Sequence, residues 1–117
     1  TRCRPATRSR ARNRFGAPLV FVICFDKTQA WASQEGASSG PVDCGIVGTH
    51  LMFAAHDLGL GSCWVMRFEA SILKKSLNLA DNLIPVSLMP VGYPSENAVP
   101  GPRHTQRKPL LENIVFK

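Results

Sequence analysis

The sequence of 117 residues lacks any apolar run that approaches the roughly 18 to 20 residues needed to cross a bilayer. Its arginine-rich start also lacks the apolar core of a secretory signal peptide. The four cysteines show no CxxC spacing, so a zinc-type cysteine site is not indicated. These absences favour a soluble, cytoplasmic protein with free, reduced thiols.

Acidic residues are absent from residues 1–16, which hold six of the fourteen basic residues, all of them arginines. From residue 17 onward, eight basic side chains balance eight acidic ones, so the net charge of +6 belongs to the short N-terminal segment. A neutral body argues against a binder of nucleic acid, although a disordered arginine arm could still grip phosphates. The sequence therefore divides into a basic segment of uncertain order, 1–16, and one domain, 17–117.

Apolar periodicity predicts the first strand and a long helix. The run Leu19–Phe25 is apolar on both faces, as is typical of a buried central strand. A polar loop, Asp26–Pro41, with one helical turn around Trp31, precedes a helix that begins at Asp43 and stops at Gly59. Because this helix has apolar residues on more than one face, we expect it to contribute to a subunit interface as well as to its own core.

The second half of the domain is predicted to contain two further strands and a helix. Ser62–Met66 has the pattern of a short strand, Phe68–Leu77 that of a helix, and Val86–Tyr93 that of a third strand whose regularity Pro90 puts in doubt. The tail from Ser95 is rich in proline and glycine, then basic, and ends in an apolar stretch. We expect such a tail to dock on a sheet edge of its own subunit or of a neighbour.

Four motifs, in this order, resemble the second half of the nitroreductase family: Ala17-Pro18-Leu19, the helix end Ala54–Gly61 with Ser62-Cys63-Trp64-Val65, the stretch Pro85–Pro94, and the closing Arg107–Val115. The resemblance covers about residues 17–117. It implies an α+β fold with a central mixed β-sheet flanked by helices. It also implies an obligate homodimer with two FMN sites at the subunit interface, and NAD(P)H as the electron donor for a nitroaromatic, quinone or similar small-molecule acceptor.

The resemblance assigns Trp64, Val65, Met66 and Arg67 to the FMN ring, and the charge pattern assigns Arg103, Arg107 and Lys108 to the FMN phosphate. The first four follow a turn that would bring main-chain amides to the edge of the isoalloxazine. The last three form a basic cluster suited to a phosphate dianion, since an arginine fork and a point charge complement it. The alternatives are a packing role for Trp64 and a solvated turn for the cluster. No catalytic side chain is assigned, because the flavin itself carries the chemistry.

Other reactive side chains are predicted to be structural. His50 and His56 lie six residues apart on the long helix, which is not a spacing that shares a metal, and no nearby acid completes a ligand set. Cys63 has no adjacent base or cation that would activate its thiol. We therefore expect no metal site and no nucleophile.

The resemblance also predicts what this sequence does not contain. Members of the family usually begin with a helix preceded by an arginine-serine motif that binds the FMN phosphate, and Arg8-Ser9-Arg10 lies too close to Ala17 to be its counterpart. Part of the usual FMN site is thus expected to be missing, in either a fragment or a truncated natural product. The alternatives to a flavin enzyme are a non-catalytic dimerisation remnant that does not retain FMN, and a nucleic-acid binder that acts through residues 1–16.

Overall fold

The protein, in a computed structural model that describes residues 15–116, consists of a three-stranded sheet and two α-helices. The elements are β1 (Leu19–Asp26), α1 (Gly40–Asp57), β2 (Gly61–Ser62), α2 (Ala70–Leu77) and β3 (Leu83–Gly92). Two 3₁₀ turns, Pro102–His104 and Leu110–Glu112, follow in the tail. The predicted arginine arm lies almost wholly outside the described residues. None of the helices found between residues 15 and 116 is both long and apolar enough to span a bilayer.

The central strand of the sheet is β3, with β1 and β2 antiparallel to it on its two sides. The predicted central position of β1 is therefore wrong. Although its run is apolar, Leu19 and Phe21 are 48% and 38% exposed, and Ile23 is its one fully buried residue. Every strand pairing within residues 15–116 is antiparallel, so these residues do not form the mixed sheet that the resemblance implies.

Strand β3 is longer than predicted and passes through Pro90 without interruption. Pro90 lies opposite Val20 of β1, and its carbonyl accepts a 3.3 Å hydrogen bond from the amide of Cys63. Proline has no N–H to return that bond, whereas the pair Val65 and Leu88 exchanges two bonds of 2.9 Å. The proline thus costs the sheet a single bond beside β2, which is why a central strand tolerates it here.

A β-bulge interrupts the pairing of β1 with β3. Ile23 lies opposite Ser87, but the next residue, Cys24, lies opposite Pro85, so Val86 is an extra residue on β3. Proline is commonly found at bulges, because ladder bonds are already disrupted there.

Helix α1 begins at Gly40, three residues before the predicted start at Asp43. Pro41 occupies the first turn, where the missing N–H of proline would have no helical partner in any case. The buried Gly40 lies directly under the ring of Phe25, and a Cβ at this position would overlap that ring. The close approach of the helix start to β1 therefore requires glycine.

Helix α1 ends where the sequence predicts. Gly59 has a φ of +72°, and its amide donates a 2.9 Å hydrogen bond to the carbonyl of His56. The amide of Leu60 donates a 2.8 Å bond to the carbonyl of Ala55. These two bonds form a Schellman motif, which satisfies the last helical carbonyls and turns the chain towards β2.

The core lies between α1 and one face of the sheet. Its buried members are Ile23, Cys44, Ala55, Met89 and Val91. Away from this core, α1 exposes a second set of apolar side chains, namely Val42, Ile46, Val47 and Phe53. The prediction of a helix with more than one apolar face is confirmed, and the subunit interface stays a prediction.

The loop between β1 and α1 differs from the expectation of a helical turn at Trp31. The turn lies earlier, where the carbonyl of Asp26 accepts hydrogen bonds from the amides of Gln29 and Ala30 at 3.1 and 2.9 Å. Beyond it, Ala32 pairs with Ser38 in an isolated antiparallel bridge. Trp31 is 67% exposed at the base of this small hairpin.

The tail is exposed from Tyr93 to Phe116. Within the described residues, neither of its 3₁₀ turns packs against a strand or a helix. Within residues 15–116, the 3₁₀ turns of the tail therefore do not dock on the sheet, and docking on a neighbouring chain stays a prediction.

Candidate functional site

The segment after α1 runs antiparallel beside β3 and then leaves it. Gly61 and Ser62 pair with β3 as a two-residue strand, and Val65 pairs with Leu88 in a separate bridge. The predicted strand Ser62–Met66 is thus present in part, because Met66 already lies outside the sheet. From there the chain turns, with the amide of Phe68 donating a 3.1 Å hydrogen bond to the carbonyl of Met66.

Trp64 anchors this segment to α1. Its ring is half-buried beside the core and lies against Gly48, on the buried face of the helix. The packing role considered for Trp64 is therefore present in the structure. It does not exclude a role near a ligand, since the two residues that follow the Val65 bridge project away from the core.

Met66 and Arg67, which are exposed, form a surface depression together with Phe68 and Glu69. Within residues 15–116, neither the Met66 amide nor the Arg67 amide donates a hydrogen bond. Two adjacent main-chain amides, on a segment fixed by Trp64 and Val65, can donate hydrogen bonds to the electron-rich edge of an aromatic ring. The backbone role assigned to these two residues stays a prediction.

The predicted phosphate cluster lies in the exposed tail. Arg107 donates hydrogen bonds from Nη1 to the carbonyls of Arg103 and Gln106, at 3.2 and 2.8 Å. In the described part of the chain, Nη2 and Nε of Arg107 donate no hydrogen bond, so the guanidinium can still donate to an anion. Arg103 and Lys108 are exposed beside it.

Within residues 15–116, no residue of the tail lines the depression at Met66 and Arg67. Arg103, Arg107 and Lys108 belong to that exposed tail, whose two 3₁₀ turns contact no strand or helix of the described chain. A ligand that touches both halves of the predicted site would need the tail of the same chain to move, or the tail of a second chain.

Three titratable side chains were predicted to have structural roles. His50, His56 and Cys63 are exposed. No group of three His, Cys, Asp or Glu side chains in the described range is arranged to hold a metal ion. The described cysteines are free, and burial raises the pKa of the Cys24 and Cys44 thiols above their ordinary range. The groups predicted to bind the flavin are thus main-chain donors and cations.

Sequence inspection alone missed the role of Gly48. A signal for it was present, because Gly40, Cys44 and Gly48 recur at every fourth position, as small residues on a closely packed helix face do. It also missed the partnership of Asp26 with Asn82, which no local pattern indicates because the two residues lie 56 positions apart.

Comparison with known proteins relates the chain to the nitroreductase family. The sequence model of the Nitroreductase family matches residues 5–93, so the match starts within the arginine-rich segment and ends before the tail. A putative NADH dehydrogenase/NAD(P)H nitroreductase of Methanothermobacter thermautotrophicus is 32% identical over 91 residues. The crystal structure of a nitroreductase family protein from Clostridium difficile 630 superimposes with a TM-score of 0.79 at 34% identity. A putative nitroreductase in complex with FMN, from Exiguobacterium sibiricum 255-15, shares the fold with a TM-score of 0.57 at 22% identity.

The chain spans only part of each of these proteins. The alignment covers 74% of this chain and 44% of the archaeal protein. It covers 88% of this chain and 61% of the Clostridium difficile protein, and 66% of this chain and 35% of the FMN complex. The similarity therefore concerns one portion of the longer proteins.

Proposed function

The chain belongs to the nitroreductase family, and from that premise we propose that it is an FMN-dependent oxidoreductase that uses NAD(P)H to reduce nitroaromatics, quinones or similar small acceptors. The family and the names of its relatives support a general oxidoreductase role. FMN is proposed by analogy with the Exiguobacterium protein, and NAD(P)H by analogy with the archaeal one.

The observation that carries the proposal is that, among residues 15–116, the main-chain amides of Met66 and Arg67 donate no hydrogen bond. In the proposed complex these amides donate to the edge of the isoalloxazine. When bound, FMN supplies the chemistry, since it accepts a hydride and passes electrons onward. The protein contributes fixed dipoles that need no reorganisation. Trp64 and the bridge of Val65 to Leu88 hold those dipoles in place.

Arg103, Arg107 and Lys108 are proposed to bind the FMN phosphate. Arginine can meet two phosphate oxygens at once, and lysine adds a compact charge. The two bonds that Arg107 makes to carbonyls of its own segment orient the guanidinium before any ligand arrives. Less side-chain entropy is then lost on binding.

A homodimer is proposed to complete the site. The apolar face of α1 is exposed, and so is the apolar end of the tail, where Leu111 is 76% and Phe116 79% exposed. Exposed apolar patches commonly mark surfaces that another chain covers. A second chain would cover that face and bring its tail towards the turn at Met66.

The separation of the two half-sites within one chain favours one alternative, a dimerisation remnant that folds without retaining flavin. In that case the exposed apolar surfaces still pair, but the amides of Met66 and Arg67 face water.

The deciding experiment is reconstitution of the full chain with FMN, followed by gel filtration and a visible spectrum. We expect a yellow protein whose visible absorbance is bleached by NAD(P)H under anaerobic conditions. A chain that elutes as a dimer but stays colourless at high FMN concentration would establish the remnant instead. Boiled protein carried through the same column controls for trapped FMN.

A further inference from the structure

We infer that Gly48 of α1 is a positioning residue for the flavin site, because it sets the depth of the Trp64 ring and thereby the location of the main-chain donors at Met66 and Arg67. The inference rests on the proposed function, and it assigns a role to a helix residue that would not itself touch the flavin.

Gly48 and the Trp64 ring are packed too closely for any side chain at position 48. A Cβ on Gly48 would lie 2.8 Å from the ring carbon Cη2 and would overlap the neighbouring ring carbon Cζ3. Carbon atoms in good contact lie about 3.5 to 4.0 Å apart. Even one added methyl group must therefore push the indole outwards or tilt it. The neighbouring Gly45 differs in this respect, since a Cβ there would meet nothing within 4 Å.

If the Trp64 ring is displaced, the main-chain donors at Met66 and Arg67 are expected to move with it. Only Val65, with its two 2.9 Å bonds to Leu88, separates Trp64 from the turn. On the other side, Cys63 is held by the weaker 3.3 Å bond to Pro90, which cannot return a second one. The segment is therefore held mainly by the Trp64 ring and the Val65 bridge. Donors to a reacting ring have to be held within about 0.5 Å.

The test compares Gly48→Ala with Gly45→Ala, which makes the same substitution on the same helix without the overlap. Both are made in a Trp31→Phe background, so that Trp64 is the sole tryptophan. Without flavin, Gly48→Ala is expected to shift the Trp64 emission to the red and to raise its quenching by acrylamide. Gly45→Ala is expected to leave both unchanged.

With flavin, Gly48→Ala is expected to weaken the binding of FMN and of riboflavin by the same factor, about tenfold, because two ring-edge hydrogen bonds are strained and the phosphate is not involved. The flavin reduction potential should shift as well. Gly45→Ala should match the parent in all three measurements.

A third variant keeps the test decisive if Gly48→Ala folds poorly. Gly48→Ala creates an overlap with the Trp64 ring, whereas Trp64→Phe leaves a gap beside Gly48. The gap is expected to make the amides of Met66 and Arg67 more mobile and to weaken flavin binding about threefold. The double variant Gly48→Ala/Trp64→Phe fills that gap and should bind flavin more tightly than either single variant. Such non-additivity reports a direct coupling between the two residues.

Each outcome decides the matter. If the parent binds flavin and Gly48→Ala matches Gly45→Ala, or if the double variant shows simple additivity, Gly48 has no positioning role and the proposed function survives. If the parent binds neither FMN nor riboflavin, the proposed function fails and the positioning role fails with it. The shift in Trp64 emission then reports packing alone.

Discussion

Asp26, the last residue of β1, accepts a 2.7 Å hydrogen bond on Oδ2 from the side-chain amide of Asn82, just before β3. Its Oδ1 accepts two more from Thr28, at 2.6 Å from the hydroxyl and 2.8 Å from the amide. The amide of Lys27 also donates to the carbonyl of Asn82. One carboxylate thus closes the end of the β1–β3 pair.

Stability should depend on the ionisation of Asp26. The hydroxyl and then the amide of Thr28, helped by Asn82, hold the pKa of Asp26 below its ordinary value of 3.8. The stabilisation is therefore fully present above pH 3.8 and is lost as the pH falls through the lowered folded-state pKa. Asp26→Asn should unfold at lower urea than the parent at pH 7. The difference should shrink towards pH 3. Glu35→Gln, in the exposed loop, is the control, and an equal loss there would contradict the prediction.

Replacement of Gly59, which follows α1, should destabilise the fold. Its φ of +72° lies in the left-handed region, where an added Cβ costs about 1 to 2 kcal/mol. Gly59→Ala is expected to lower the free energy of unfolding by that amount in urea titrations. Gly45→Ala, in the helix interior with open space around it, should be neutral or stabilising by about 0.5 to 1 kcal/mol. Equal effects at the two positions would refute the Schellman assignment.

Arg107 should distinguish FMN from riboflavin. If its guanidinium binds the phosphate, Arg107→Gln removes a charged hydrogen bond worth about 1.5 to 3 kcal/mol, which is roughly ten- to a hundredfold in affinity for FMN. Riboflavin has no phosphate, so its affinity should not change. Lys75→Gln, at another exposed cation, controls for the overall loss of charge. If Arg107→Gln weakened the binding of FMN and of riboflavin equally, Arg107 would not be the residue that binds the phosphate.

Phe53 should be central to self-association. It is 69% exposed on the outer apolar face of α1. Phe53→Asp would bury a carboxylate in the proposed interface, and we expect it to weaken the dimer by about 2 kcal/mol or more in sedimentation equilibrium. Ile72→Asp, at an exposed apolar residue of α2, is the matched control and should leave the dimer intact. A monomeric parent at micromolar concentration would remove the basis for the prediction.

The cysteines should react with iodoacetamide in an order set by exposure. In a Cys3→Ser background, exposed Cys63 should be alkylated first and buried Cys44 last. Burial raises the pKa of Cys44, with smaller contributions from Cys24 and Asp43, so its thiolate becomes abundant only at more alkaline pH. Mass spectrometry of time points at pH 7 and pH 9 measures the order. Labelling of Cys44 as fast as Cys63 would indicate that α1 separates from the sheet.

Local chemistry in the sequence was sufficient to predict some boundaries. The end of α1 at Gly59 was predictable because a left-handed residue with no side chain is needed to close a Schellman motif. The start of β1 after Pro18 was predictable for a similar reason, since proline and the apolar run mark it. Both depend on neighbouring residues alone.

Non-local features were not predictable in the same way. The apolar run of β1 does not indicate whether the strand lies at the centre or at an edge of the sheet. In the described sheet β1 is an edge strand, because β3 lies between β1 and β2. The tolerance for Pro90 depends on which strand its nitrogen faces. The amide donors at Met66 and Arg67 were expected from the family resemblance. That these amides donate to no other described residue could be seen only once the pairing of Val65 with Leu88 was known.

The extra residue at Val86 divides β3 into two stretches. Even-numbered side chains face the helix before the bulge, and odd-numbered side chains face it after the bulge. On one side, Ser87 shares the helix-facing surface with Ile23, and on the other, Ile84 shares it with Phe25, so odd and even positions exchange roles at this point. Shortening β3 by one residue anywhere else would turn inward side chains outward over the rest of the strand. Removing Val86 would leave the alternation unbroken, so a scan of single-residue deletions should find its tolerated position there.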